Sequence, residues 1–142
     1  MKFQTFNNLI YANNDDNSKI LFQNIPCHVI EKPYRSSKKW YMKVKITDTE
    51  ILDKINIIDD FFEKSQNKKV QNTIRDNIIV LKLPFRYNKF ECTVYDKHGD
   101  YYSCYELENG DKVHIDIIHA CFSFQETHYL STWKVIQIKL KD

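Results

Sequence analysis

Glycine and proline are scarce, 2 and 3 among 142 residues. Two glycines as far apart as Gly99 and Gly110 cannot build the glycine-rich loop that cradles a nucleotide phosphate, which excludes the common nucleotide-hydrolysing and dinucleotide-binding classes. Long apolar runs are missing too. The longest, Ile78-Ile79-Val80-Leu81, falls far short of the roughly 20 residues of a membrane span, so no membrane partner is expected. The opening Met1-Lys2-Phe3-Gln4-Thr5-Phe6 carries one charged side chain and no secretory-type apolar stretch behind it, so an intracellular protein is expected. None of Cys27, Cys92, Cys104 and Cys121 sits in a Cys-x-x-Cys pair. They read as buried, reduced thiols rather than a disulfide framework or a zinc site, and no cofactor is expected.

What is present suffices for a core: 42% hydrophobic and 14% aromatic residues in a length typical of one domain, taken here as residues 1–142. Residues 1–11 read as a frayed edge or short strand, and 12–18, Ala-Asn-Asn-Asp-Asp-Asn-Ser, as a loop. Lys19–Phe22 and Cys27–Ile30 are short β-prone runs around Pro26, which marks a bulge or edge because it cannot donate to a ladder. From Lys39 to Thr47, Trp40, Met42, Val44 and Ile46 alternate with Tyr41, Lys43 and Lys45, the period of a half-buried strand. The period then lengthens. Thr47-Asp48-Thr49-Glu50 offers a helix cap, and Ile51, Leu52, Ile55, Ile58 and Phe62 predict a helix at about 49–65, with a further helical turn or two allowed at Val70–Ile74. Strands are expected at 78–83, 90–96, 101–107, 112–122 and 133–140, with Gly99 and Gly110 supplying the positive φ of hairpin turns and residues 77–141 forming a meander. Seven or eight strands with one inserted helix, in so short a chain, predict a mainly β fold: an OB-like small antiparallel barrel, since closure removes exposed edges.

Convergent polar groups of an enzyme are hard to find. His114, His119 and Cys121 have a ligand-like spacing, yet residues five apart on a strand face opposite sides; His119 and Cys121 are expected to share a face as a core-edge histidine and a buried thiol. A hydrolase using His114 or His119 is the weakest of three readings. The acids Asp48, Glu50, Asp53, Asp59, Asp60 and Glu63 are expected to form the solvated face of the helix.

Charge is more informative than its net value of +2. Lys32, Arg35, Lys38, Lys39, Lys43 and Lys45 occur without an intervening acid, beside Tyr34, Trp40 and Tyr41. A second acid-free segment, Lys82 to Phe90, interleaves Arg86 and Lys89 with Phe85, Tyr87 and Phe90, and a third places Lys134, Lys139 and Lys141 after Tyr129 and Trp133. Cations beside flat rings suit a single nucleic-acid strand, which offers a phosphate per nucleotide and a π-face per base. The competing reading is a virion or assembly protein, self-associating or docking other viral proteins through its aromatic edges without affinity for nucleic acid.

Three motifs add to this: Ile79-Val-Leu-Lys-Leu-Pro-Phe-Arg-Tyr-Asn-Lys-Phe-Glu-Cys92, Glu108-Asn-Gly-Asp-Lys-Val113 and Thr132-Trp-Lys-Val-Ile-Gln-Ile138. The stretch holding them, about half of the chain, resembles the single-stranded-DNA-binding proteins of nucleocytoplasmic large DNA viruses, which are similar to phage-type OB-fold binders. Ile57-Ile-Asp-Asp-Phe-Phe62 would correspond to their helical insertion. The resemblance implies non-catalytic, largely sequence-independent binding of single-stranded DNA in viral replication or repair. It places Lys82, Phe85, Arg86, Tyr87 and Lys89 on the binding edge, with Trp133 matching the family's tryptophan in the last strand, as a core or a stacking residue. Together with the charge reading, the candidate binding residues are Lys38, Lys39, Trp40, Lys43, Lys82, Phe85, Arg86, Tyr87, Lys89 and Trp133. One departure is the closing Lys139-Leu140-Lys141-Asp142, where phage-type binders carry an acidic tail that recruits other replication proteins. It weakens the expectation of such recruitment and makes a divergent paralogue serving in the virion a credible alternative.

Overall fold

Alternation along long strands lays down the framework. The structure is a computed structural model that describes residues 1–142. Its strands are β1 (Lys2–Phe6), β2 (Leu9–Asn13), β3 (Leu21–Ser36), β4 (Lys39–Ile46), β5 (Ile74–Arg75), β6 (Ile78–Leu83), β7 (Phe85–Arg86), β8 (Lys89–Phe90), β9 (Thr93–Tyr95), β10 (Lys112–Gln125) and β11 (His128–Leu140). One helix, α1 (Thr49–Gln66), lies between β4 and β6. Five strands close on themselves in the order β3-β4-β6-β11-β10 and back to β3, the Greek-key arrangement of an OB-like barrel. All barrel pairs are antiparallel except β6–β11, where Trp133 and Lys134 run parallel to Leu81 and Lys82.

Met42, Val44 and Ile46 of β4, Ile79, Leu81 and Leu83 of β6, and Val113, Ile115 and Ile117 of β10 are essentially inaccessible and fill the barrel. Side chains between them point outward, as the two-residue period of a strand requires. Asp48 starts α1 by accepting a hydrogen bond from the Glu50 amide, and Asn67, left-handed at φ 53°, ends it. The helix turns Leu52, Ile55, Ile58 and Phe62 inward. Phe62 lies flat on Phe122 of β10, ring centroids 3.9 Å apart, so α1 closes one end of the barrel. At the other end Trp40, Phe85, Phe90 and Tyr105 interlock with centroids 5.0 to 5.8 Å apart.

Several expectations are corrected. Residues 1–13 form a hairpin whose β2 continues through Asn13, leaving only 14–18 as a turn. The two runs around Pro26 are one strand of 16 residues, in which Pro26 stands opposite His114. Val70–Ile74 is extended rather than helical, because Val70 bridges Tyr129 and the Gln71 amide donates to the Tyr129 carbonyl. Residues 101–107 form no strand; they hold a single bridge at Tyr101 and a 3-10 turn at Cys104–Glu106. Residues 77–141 are not a meander, since β11 pairs in parallel with both β6 and β9. Gly99 and Gly110 do take positive φ, +87° and +91°, but the Gly110 amide donates to Val29 of β3 rather than closing a hairpin. No helix is long and apolar enough to cross a membrane.

Candidate nucleic-acid interface

On the outside of β4 and β6, register sets who stands beside whom. Glu31, Lys43 and Val80 form one row across β3, β4 and β6; Tyr34, Tyr41 and Lys82 form the next. Tyr34 and Tyr41 lie 6.0 Å apart between ring centroids. These rows border an open groove of about 850 Å³, walled on its far side by residues 71–76 and the start of β11. Its surface exposes Ile30, Val80 and Leu130 beside Tyr41, while Lys43, Arg75 and Lys82 supply positive charge. Two carboxylates temper that charge: Asp76 lines the groove, and Glu31 accepts an ion pair from Lys43 at 3.2 Å.

Lys82 also lines a second, smaller groove of about 390 Å³, shared with Tyr11, Lys19, Phe85, Arg86, Cys121 and Lys134. Its one carboxylate, Glu91, is paired with the Arg86 Nε at 3.1 Å. Partial burial holds the Lys82 ammonium below the usual lysine range, and the charges of Lys39 and Lys134 push the same way. None of these three lysines forms a salt bridge. Because Lys82 and Lys134 are direct partners in register, the three basic segments of the sequence meet here, each represented by one lysine.

The candidate residues divide accordingly. Lys43 and Lys82 line the larger groove; Lys82, Phe85 and Arg86 line the smaller one; Lys39 stands beside Lys82. Lys38 occupies the β3–β4 turn at φ 70°, and Tyr87, 85% exposed, occupies the β7–β8 turn at φ 54°. Lys89 pairs with Arg86 across that hairpin. Trp40 points inward into the aromatic cluster and is half-buried. Trp133 is a correction: it has no exposed surface, being stacked on Phe22 at 5.3 Å and set edge-on to His119, so no base can reach it. Lys139 pairs with His114 and Tyr95 and, with Lys141, lies away from both grooves.

His119 and Cys121 do not share a face, because the register shifts between them and the strand carries one extra residue, Ala120. The bulge sends His119 inward and leaves Cys121 half-exposed in the smaller groove. His119 bonds through Nε2 to Ser131 Oγ at 3.0 Å, and burial, with a smaller push from Lys19, lowers its pKa to about 3. Sequence reasoning missed Tyr11, Lys19 and Arg75. Lys19 stands alone beside a polar turn, and Arg75 directly follows a stretch read as helical; neither carries a local signal. Tyr41 had one, because it alternates outward with Lys43 on the strand the sequence located. Searched against protein-family models, curated proteins and solved structures, the chain matches none.

Proposed function

We propose that this protein binds single-stranded DNA without catalysis and largely without regard to sequence, in viral DNA replication or repair. The observation that carries this reading is the unpaired Lys82, which lines both grooves on the β4–β6 side of an OB-like barrel, with Lys134 its partner in register and Lys39 two residues along the outer face of β4 from Tyr41, the other partner of Lys82. A partly buried ammonium flanked by like charges is costly until an anion arrives, and a phosphodiester supplies one charge per nucleotide. Strands two and three of an OB barrel, here β4 and β6, are the face that this architecture uses for oligonucleotides. Tyr41, Val80 and Leu130 offer bases a flat apolar seat, while Lys39, Lys43, Arg75, Lys82 and Arg86 serve phosphates. Lys43 and Arg86, already tied to Glu31 and Glu91, contribute least.

Fluorescence anisotropy with a labelled oligomer of about 30 nucleotides, several times the site size of one OB domain, tests this. With about five phosphates neutralised, log K is expected to fall with log salt at a slope near −3.5, and Lys82→Ala is expected to flatten the slope by about 0.7. A slope near zero would refute the reading. One observation favours the alternative of a viral assembly module: Phe6, Ile57 and Phe61 are 65%, 60% and 44% exposed, and none lines either groove. Absence of oligomer binding at low salt, with self-association that Phe61→Ser disrupts, would establish that alternative instead.

A further inference from the structure

We propose that the smaller groove takes a phosphate monoester, the phosphorylated end of a nucleic-acid strand whose body lies in the larger groove; the inference rests on the binding function proposed above. Three features of the groove point there. Its volume of about 390 Å³ lies at the small end of ligand sites, roughly 300–1,000 Å³, with room for a nucleotide rather than a run of them. Four cations line that space, Lys19, Lys82, Arg86 and Lys134, against the single carboxylate of Glu91. Glu91 engages only Arg86, so three ammonium groups remain unpaired.

That charge exceeds what a passing strand needs. An internal phosphodiester brings one negative charge, whereas a terminal monoester brings about 1.5 to 2 at neutral pH and three acceptor oxygens. Lysine ammoniums are flexible point charges that suit such a group. The Lys19 Nζ lies over the Tyr11 ring, 5.4 Å from its centre, so the ring holds that ammonium at the groove wall. Lys82 lines both grooves, so a strand crossing β6 reaches the smaller one without a break.

The test uses oligomers of about eight nucleotides, within the span of one OB domain, so that each molecule presents one end to the site. Three are compared by competition against a labelled strand: 5′-phosphorylated, 3′-phosphorylated and hydroxyl-ended. One phosphorylated form is expected to bind about tenfold tighter than the hydroxyl-ended one, and which of the two does so assigns the end. Lys19→Glu, a change at an exposed side chain, is expected to cut that preference, read as the ratio of the two affinities, at least threefold, whatever it does to binding of the hydroxyl-ended strand. Equal affinity for all three oligomers overturns the inference and leaves DNA binding standing. A preference that Lys19→Glu does not alter overturns the assignment to this groove. If no oligomer binds at all, the function beneath the inference fails with it.

Discussion

Replacing Asp59 by asparagine removes a buried charge while keeping the side chain's shape, and the structure gives the expected size of the effect. Asp59 faces inward from α1 with 7% of its surface exposed. One carboxylate oxygen accepts from the Thr73 hydroxyl, and the other has no partner. Burial pushes its pKa from 3.8 up to about 6; the Thr73 hydroxyl resists, and Asp60 and Glu63 add to the rise. The folded protein therefore holds this proton more tightly than the unfolded chain, so the group's contribution to stability is fully present below pH 4 and is lost as pH rises through 6. Between 3.8 and about 6 the loss amounts to about 3 kcal/mol at neutral pH.

His119, which bonds Ser131, runs the other way. Its pKa is lowered to about 3, so its contribution is lost as pH falls below 6.5, and the two partly offset in the wild-type protein. An asparagine side chain cannot ionise. Asp59→Asn is expected to match the wild type near pH 4 and to exceed it by about 3 kcal/mol near pH 7.5, roughly 10 °C in Tm for a chain of this length. Urea unfolding from pH 4 to 8, followed through tryptophan emission, measures the difference directly. A difference that does not vary with pH, or a variant less stable at pH 7.5, would show that the carboxylate is held by favourable partners and that the reasoning is wrong.

Tyr87→Gly relieves a left-handed tyrosine in the β7–β8 turn and is expected to raise stability by about 1 kcal/mol in thermal unfolding; a loss of stability would contradict the strain argument. With Trp133 buried and Trp40 half-exposed, acrylamide is expected to quench the emission of Trp133→Phe, which reports Trp40, more strongly than that of Trp40→Phe; the reverse order would contradict the packing. Cys27, Cys92 and Cys104 are buried and burial pushes the Cys27 thiol up to about 12, so Cys121, half-exposed although burial raises its thiol too, is expected to be the first thiol titrated in the native protein. Bound oligomer should slow that reaction, and Cys121→Ser should abolish it.

Legibility followed locality. Alternation along β4 and β6 and the capped periodicity of α1 are written in neighbouring residues, and the structure reproduces their limits within a residue or two. Glycine misled at Gly110, whereas Gly99 does turn the chain back between the antiparallel Tyr95 and Tyr101. The pairs Asn7–Asn8, Ser37–Lys38, Asp76–Asn77 and Tyr87–Asn88 all take positive φ and turn the chain without glycine, asparagine being the commonest occupant. The bulge at Ala120, which parts His119 from Cys121, and the parallel pairing of β6 with β11 have no counterpart in local pattern, because both depend on strands distant in the chain.

The same division applies to the site. That lysines and rings are interleaved in three segments is a property of the sequence alone, as are the inward rows that make a β barrel with one helix. Which of those residues meet is decided by closure of the barrel: it brings Lys39, Lys82 and Lys134 together, adds Lys19, Arg75 and Tyr11 from unmarked stretches, and sinks Trp133 into the core. The physical reason is that side chains alternate faces along a strand, so a single register between distant strands determines whether a given residue meets solvent or the interior.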